Sequence, residues 1–189
     1  MHAQHLRRTQ HDKDRKLTNS EELDASNARF ALWMIIAVVI VIADQLTKWA
    51  IIEWIPLYDK VPLNSFINLT HQKNPGAAFS FLADAGGWQR WFFVALASIV
   101  STVIGVWLWR VRNDGHMVLS AGLAFVLGGA VGNLIDRIVL GHVTDFFQVM
   151  FGSWAFPSFN VADAGISVGA ALLIIDALFL SGREERTAA

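Results

Sequence analysis

Four long apolar stretches alternate with polar ones along this chain. Phe30–Ala43 carries no charge, and apolar residues continue past Asp44 to Ile52. Trp91–Trp109 and Met117–Ile135 contain no ionisable residue at all. The last stretch, beyond Asp163, is interrupted only by Asp176. Runs of about 18 or more apolar residues mark membrane-spanning helices. At 1.5 Å per residue, Trp91–Trp109 makes about 28 Å of helix, which matches a hydrocarbon core of about 30 Å. Trp at both of its ends fits the interfacial aromatic belt. The pattern predicts spans over about 30–52, 91–109, 117–140 and 163–181. By length alone Phe30–Ala43 resembles a signal-peptide core. Its continuation to Ile52 and the three spans that follow argue for a helix instead.

The intervening segments differ from one another. Residues 1–29 are polar, show no apolar periodicity and read as a disordered tail. Residues 56–87 begin with Pro56 and Pro62, mix β-branched and aromatic residues, and carry turn signals at Asn74-Pro75-Gly76 and Gly86-Gly87. They predict a small extramembrane sheet, which must pack against helices to be stable. Residues 141–162 are rich in Phe and Trp and predict an apolar flap or helix on the membrane surface. Residues 183–189 form a second polar tail. The fold class is therefore a mainly α membrane protein: a four-helix bundle over 30–182 with a small sheet and a flap outside the bilayer.

Composition sharpens this picture. Of the 189 residues, 54% are hydrophobic and only 16% charged, whereas soluble domains are about 25% charged. The absence of Cys excludes disulfides, a thiol nucleophile and thiolate metal ligands. No basic stripe with interleaved aromatics is present, so nucleic acid is not an expected partner. Lys and Arg concentrate in the N-terminal tail, the Arg110–Gly115 loop and the C-terminal tail. The positive-inside rule then places both termini in the cytoplasm, with the sheet and the flap on the outer side.

Helix rise converts these spans into depths. Asp44, Lys48, Asn133, Asp136, Arg137, Asp145 and Asp163 all fall in or just above the outer third of the membrane. Asp44 and Lys48 are four residues apart and share a helix face, as do Asn133, Asp136 and Arg137. Gly128, Gly129 and Gly132 allow close helix approach. Polar groups gathered at one depth in a membrane mark a functional site. Asp176 lies near the cytoplasmic end and has no expected role there.

Asp145 and Asp163 bracket 17 residues that contain no ionisable group. Two close carboxylates share a proton, so one can serve as base and the other as acid, which suits peptide hydrolysis. On residues alone, two Asp flanking a loop also read as a helix cap and a solvated loop residue, and either Asn160 or Asp163 can cap the fourth helix. A metal site from His71, His142 and Asp145 lacks a metal-binding helix spacing. A Ser–Lys dyad would need Ser65, Ser80 or Ser158 with Lys48 or Lys73, and nothing marks one Ser. A small proton-coupled transporter using Asp44, Lys48, Asp136 and Arg137 and a non-catalytic scaffold are the alternative functions.

Five blocks in order resemble the lipoprotein signal peptidase (signal peptidase II) family of bacterial inner-membrane aspartyl proteases. They are Asp44-Gln-Leu-Thr-Lys48, Asn74-Pro-Gly-Ala-Ala-Phe79, Gly128-Gly-Ala-Val-Gly-Asn-Leu-Ile-Asp-Arg137, Val143-Thr-Asp145-Phe and Phe159-Asn-Val-Ala-Asp163. The resemblance covers about residues 30–182. It implies that Asp145 and Asp163 are the catalytic pair. It implies that Gly129, Asn133, Asp136, Arg137 and Asn160 shape the site, that Asp44 and Lys48 brace it, and that Asn74 and Gly76 sit on the segment cradling substrate. The implied substrates are diacylglyceryl-modified prolipoproteins, cut just before the lipidated Cys at the periplasmic face. The implied partners are membrane lipids and globomycin-type cyclic peptide inhibitors, with no metal or organic cofactor. The charged N-terminal tail is longer than the family pattern, and its role is open.

Overall fold

The computed structural model describes residues 2–76 and 87–180, with the backbone alone for residues 2–14 and 16–19. Expectations that fall on Ala77–Phe79, Ser80, Gly86 and the C-terminal tail from 181 onward lie outside the described residues.

Helix α1 runs from His2 to Trp54, α2 from Trp88 to Arg110, α3 from Met117 to Val139 and α4 from Val161 to Ile175. A short 3-10 turn, Val111–Asn113, follows α2, and a π turn, Asp176–Leu180, follows α4. Four segments are long and apolar enough to cross a membrane: Ser20–Trp54, Trp88–Asn113, Met117–Val139 and Val161–Leu180. α3 is the central helix: 56% of its most apolar stretch is buried, against 11–17% in the other three. The other helices turn Ile35, Val39, Ile42, Leu96, Ile99, Val103 and Ile174 outward, as lipid-facing helices do.

α1 departs from the expected disordered tail. No Gly or Pro occurs before Pro56, so nothing in the sequence stops the helix at residue 29. Its last extramembrane turns are anchored as well. Ser26 is buried, Arg29 Nε donates to the Arg112 carbonyl at 3.2 Å, and Phe30 meets the Trp109 ring edge-on.

Glycines set the helix spacing. A Cβ on Gly128 would meet the Ala37 carbonyl of α1 at 2.8 Å, and one on Gly129 would collide with the Ala162 carbonyl of α4. α3 therefore touches α1 and α4 backbone to backbone. Trp33, Ile104, Leu108, Leu123 and Leu127 fill the core between α1, α2 and α3.

The sheet is not confined to 56–87. Its four antiparallel strands are β1 (Lys60–Pro62), β2 (Ile67–Asn74), β3 (Val143–Phe151) and β4 (Trp154–Ala155), in that spatial order. β2 pairs with β3, Asn68 opposite Gln148 and Gln72 opposite Asp145, with a bulge between Leu69 and Gln72. Most of the expected flap is thus strand, tied into the ladder by main-chain hydrogen bonds. Phe146 packs under the sheet against Ile51 of α1 and Ile55, just beyond its end.

Candidate active site

Asp145 and Asp163 reach one site from different elements. Asp145 lies on β3 and is buried. Asp163 lies in the first turn of α4, which Asn160 caps. Asn160 Oδ1 accepts from the Asp163 backbone N–H at 2.9 Å, while Asp163 Oδ2 accepts from the Asn160 N–H at 3.3 Å. This is a capping box. The cap also belongs to the site, because Asn160 Nδ2 donates to Asp145 Oδ1 at 2.7 Å. One residue therefore holds both carboxylates.

The remaining oxygens are held from two further elements. Asn133 of α3 donates to Asp163 Oδ1 at 2.8 Å. Asn74, at the end of β2, donates to Asp145 Oδ2 at 3.0 Å. The turn chemistry of Asn74-Pro75-Gly76 orients that amide: Asn74 Oδ1 accepts the Gly76 N–H at 3.1 Å, which leaves its N–H groups for Asp145. Burial and the neighbouring Asp163 carboxylate push Asp145 up to about 7, against the hydrogen bonds from Asn74 and Asn160 and the Lys48 charge.

A buried ionic node braces this pair. Lys48 Nζ lies 2.7 Å from Asp44 Oδ2 and 3.1 Å from Asp136 Oδ2, and donates to Asn133 Oδ1 at 3.0 Å. Asp44 Oδ1 accepts the Ala162 N–H at 2.9 Å, and Asp136 Oδ2 accepts the Thr144 N–H at 3.0 Å. The expected Asp44–Lys48 pair thus joins α1 to α3, β3 and the start of α4. Gly132 leaves room for it, since a Cβ there would sit 2.7 Å from Asp44 Oδ2.

Arg137 makes no ion pair within 4.0 Å among the described residues. Its guanidinium donates to the Asn133 carbonyl at 3.3 Å and the Gly76 carbonyl at 3.0 Å, and it lies 5.1 Å from the centre of the Phe93 ring. It fastens the Asn74–Gly76 turn to α3. Asp176, 13 residues beyond Asp163, is about 20 Å away along α4 and stands apart from the group.

Gln45 is a member of the node that sequence reasoning missed. Its Nε2 donates to Asp136 Oδ1 at 2.9 Å, with Asp44 Oδ2 and the Gly132 carbonyl each at 3.2 Å. The Asp44–Lys48 spacing drew attention to a face that excludes the adjacent residue. The one signal was an uncharged amide beside a buried acid. Among the described residues, which do not include Ser80, neither rival assembly forms. His71 Nδ1 donates to the Ile55 carbonyl at 2.8 Å, and no group of three His, Asp or Glu among the described residues is placed to hold a metal. Ser158 pairs with Thr70 at 3.0 Å rather than with a Lys.

Both acids line a cavity of about 1060 Å³, along with Asn74, Asn133 and Arg137. The cavity continues along α4 at Ile166 and Val168 and across the sheet at Gln72 and Gln148. A peptide backbone brought into it would meet two coupled carboxyl groups held by neutral amides.

The family model for signal peptidase (SPase) II matches residues 36–179. A lipoprotein signal peptidase of Acinetobacter baumannii is 48% identical over 149 residues, which cover 79% of this chain and 84% of that protein. A lipoprotein signal peptidase of Ectopseudomonas mendocina is 47% identical over 159 residues, covering 83% and 93%. A bacterial membrane enzyme solved by the in meso method at 2.3 Å resolution superposes with a TM-score of 0.67 at 30% identity, covering 78% of this chain and 88% of its own. This chain is accordingly a multi-pass bacterial membrane protease and belongs to the signal peptidase II family.

Proposed function

We propose that this protein is an aspartic endopeptidase that removes the signal peptide from diacylglyceryl-modified prolipoproteins, cutting just before the lipidated Cys. The observation that carries the reading is the coupling of Asp145 and Asp163 through Asn160 on the wall of the cavity. Around neutral pH the pair holds one proton. One carboxylate takes a proton from a water molecule as its oxygen attacks the scissile carbonyl carbon. The other carboxyl group donates its proton to the amide nitrogen as the C–N bond breaks, so the pair ends with one proton, as it began. Asn74, Asn133 and Asn160 orient the acids without adding charge. Arg137 supplies positive charge against the negative charge of the transition state.

The substrate enters sideways from the bilayer, since its lipid anchor and its signal helix are both apolar. Both termini face the cytoplasm, and the site lies at the periplasmic side of the inner membrane. Globomycin-type cyclic peptides occupy the same cavity. The transporter reading finds less support, because Trp91–Trp109 offers no ionisable residue for a proton path. The test is to incubate the purified protein with a diacylglyceryl-prolipoprotein and identify the products by mass spectrometry. The reading expects one cut before the modified Cys, blocked by globomycin. An intact substrate, or a cut elsewhere, contradicts it.

A further inference from the structure

The cavity changes character from end to end. Within the span, Ile166 and Val168 of α4 give it an apolar wall. On the sheet, outside the span, Gln72, Gln148 and Ser158 give it a polar one. A signal peptide is apolar and stays in the bilayer, whereas the chain beyond the cut is destined for water. If the peptidase reading above holds, the apolar wall receives the residues before the cleaved bond. The sheet wall then receives those after it.

Among the described residues of that wall, Gln148 is the one whose amide is held in place by a hydrogen bond and keeps further hydrogen-bonding capacity. It is half-buried on β3, directly opposite Asn68 of β2. Asn68 is itself buried, and its Nδ2 donates to Gln148 Oε1 at 3.1 Å. A glutamine amide has one acceptor oxygen and two N–H donors. With the oxygen engaged by Asn68, both donors are left without a partner among the described residues and remain for a ligand in the cavity. Ser158 differs, since its hydroxyl is shared with Thr70. Gln148 follows Asp145 by three residues, which in a strand is about 10 Å at 3.3 Å per residue. An extended substrate with its scissile carbonyl at Asp145 covers the same distance within its second and third residues after the cut.

We infer that Gln148 is a specificity-determining residue that favours, at the second or third position of the mature lipoprotein, a side chain able to accept a hydrogen bond. Asp, Asn and Ser qualify. Ala and Leu offer no acceptor, and Lys brings only donors against donors.

The test uses the full chain and matched diacylglyceryl-prolipoproteins that carry Asp, Ser, Ala or Lys at each of those two positions. Pairs compete in one reaction, and product ratios give relative kcat/KM. One hydrogen bond at an open site supports a preference of about three- to tenfold for Asp or Ser over Ala. Gln148→Leu brings that ratio close to one. Gln148→Glu, which turns donors into acceptors, shifts the preference to Lys. Equal use of Ala and Asp by the wild-type protein overturns the inference, as does a preference that both variants leave unchanged. Cleavage of no substrate by the wild type overturns the peptidase reading, and this inference with it. Brisk cleavage with flat ratios overturns this inference alone.

Discussion

Asn160 donates its side-chain amide to Asp145 at 2.7 Å while its own N–H and Oδ1 close the first turn of α4 around Asp163. A helix cap and a clamp on Asp145 are therefore the same residue, and substitution can separate the two jobs. Ser also caps helices well but is too short to reach Asp145. Asn160→Ser should keep the cap, lose stability only through the buried amide's contacts to Asp145, Asn133 and Thr144, and lower kcat by at least about tenfold. Asn160→Ala should lose the activity and, with the cap, about 1 kcal/mol of stability beyond the Ser variant. Thermal melts in detergent beside single-turnover assays read the two effects. Full activity in the Ser variant would show that the Asp145 contact is dispensable.

The ionic node makes a different prediction. Lys48 is the cation between buried Asp44 and Asp136. Removing it as Lys48→Met leaves two carboxylates out of water, which costs about 3–5 kcal/mol. The variant should accumulate poorly and melt well below wild type. Neutralising the acids in the same chain, as Lys48→Met with Asp44→Asn and Asp136→Asn, should recover much of the loss. A Lys48→Met protein that melts like wild type would mean that the node does not hold the helices together.

Gly129 of α3 is testable against a glycine of α2. Gly129→Ala drives a methyl group into the Ala162 carbonyl, at the turn that carries Asp163. Overpacking of this kind costs about 1–3 kcal/mol, and here it should also reduce activity by displacing the start of α4. Gly105→Ala of α2 is the control, because its Cβ meets nothing within 4 Å. It should be neutral or slightly stabilising, as helix propensity favours Ala. Melting temperature and cleavage rate should separate the two variants, and equal behaviour would contradict the packing argument.

Asp145 gives stability a pH dependence of its own. Its carboxyl group is raised from 3.8 to about 7 in the folded protein, so the folded state binds this proton more tightly than the unfolded chain. The contribution is fully present below about pH 4 and is lost as pH rises through about 7. Its size is at most about 4 kcal/mol. Asp145→Asn has no proton to lose there. Its melting temperature should gain on wild type between about pH 4 and pH 8. A constant difference across that range would mean that the Asp145 environment does not raise its carboxyl group.

The sequence made the bundle legible because lipid imposes a simple rule. Charge-free runs the length of Trp91–Trp109 have few other uses. The candidate site was legible as a set of residues at one depth, each of which falls within one of the five motif blocks. What stayed hidden depends on distant pairing. Nothing local to Val143–Phe151 says that it will pair with Ile67–Asn74 some 75 residues earlier, so an aromatic segment read as a flap is strand β3. The helical start of α1 was hidden for the opposite reason. Residues 2–29 lack an apolar stripe, yet they also lack any residue that would stop the helix, and contacts at Ser26 and Arg29 extend its anchored part. Gln45 was missed because its value lies in bridging two acids on different helices, a relation that no spacing within α1 displays.

The central claim is that Asp145 and Asp163 act together on the substrate. Its most direct measurement is single-turnover cleavage of a diacylglyceryl-prolipoprotein by purified wild type, Asp145→Asn and Asp163→Asn. Circular dichroism and globomycin binding on the same samples report whether each variant is folded. The account predicts that both variants stay folded, bind the inhibitor and lose cleavage by about 10³-fold or more, since acid and base act as one unit. A folded variant of either kind that cleaves at close to the wild-type rate would contradict it.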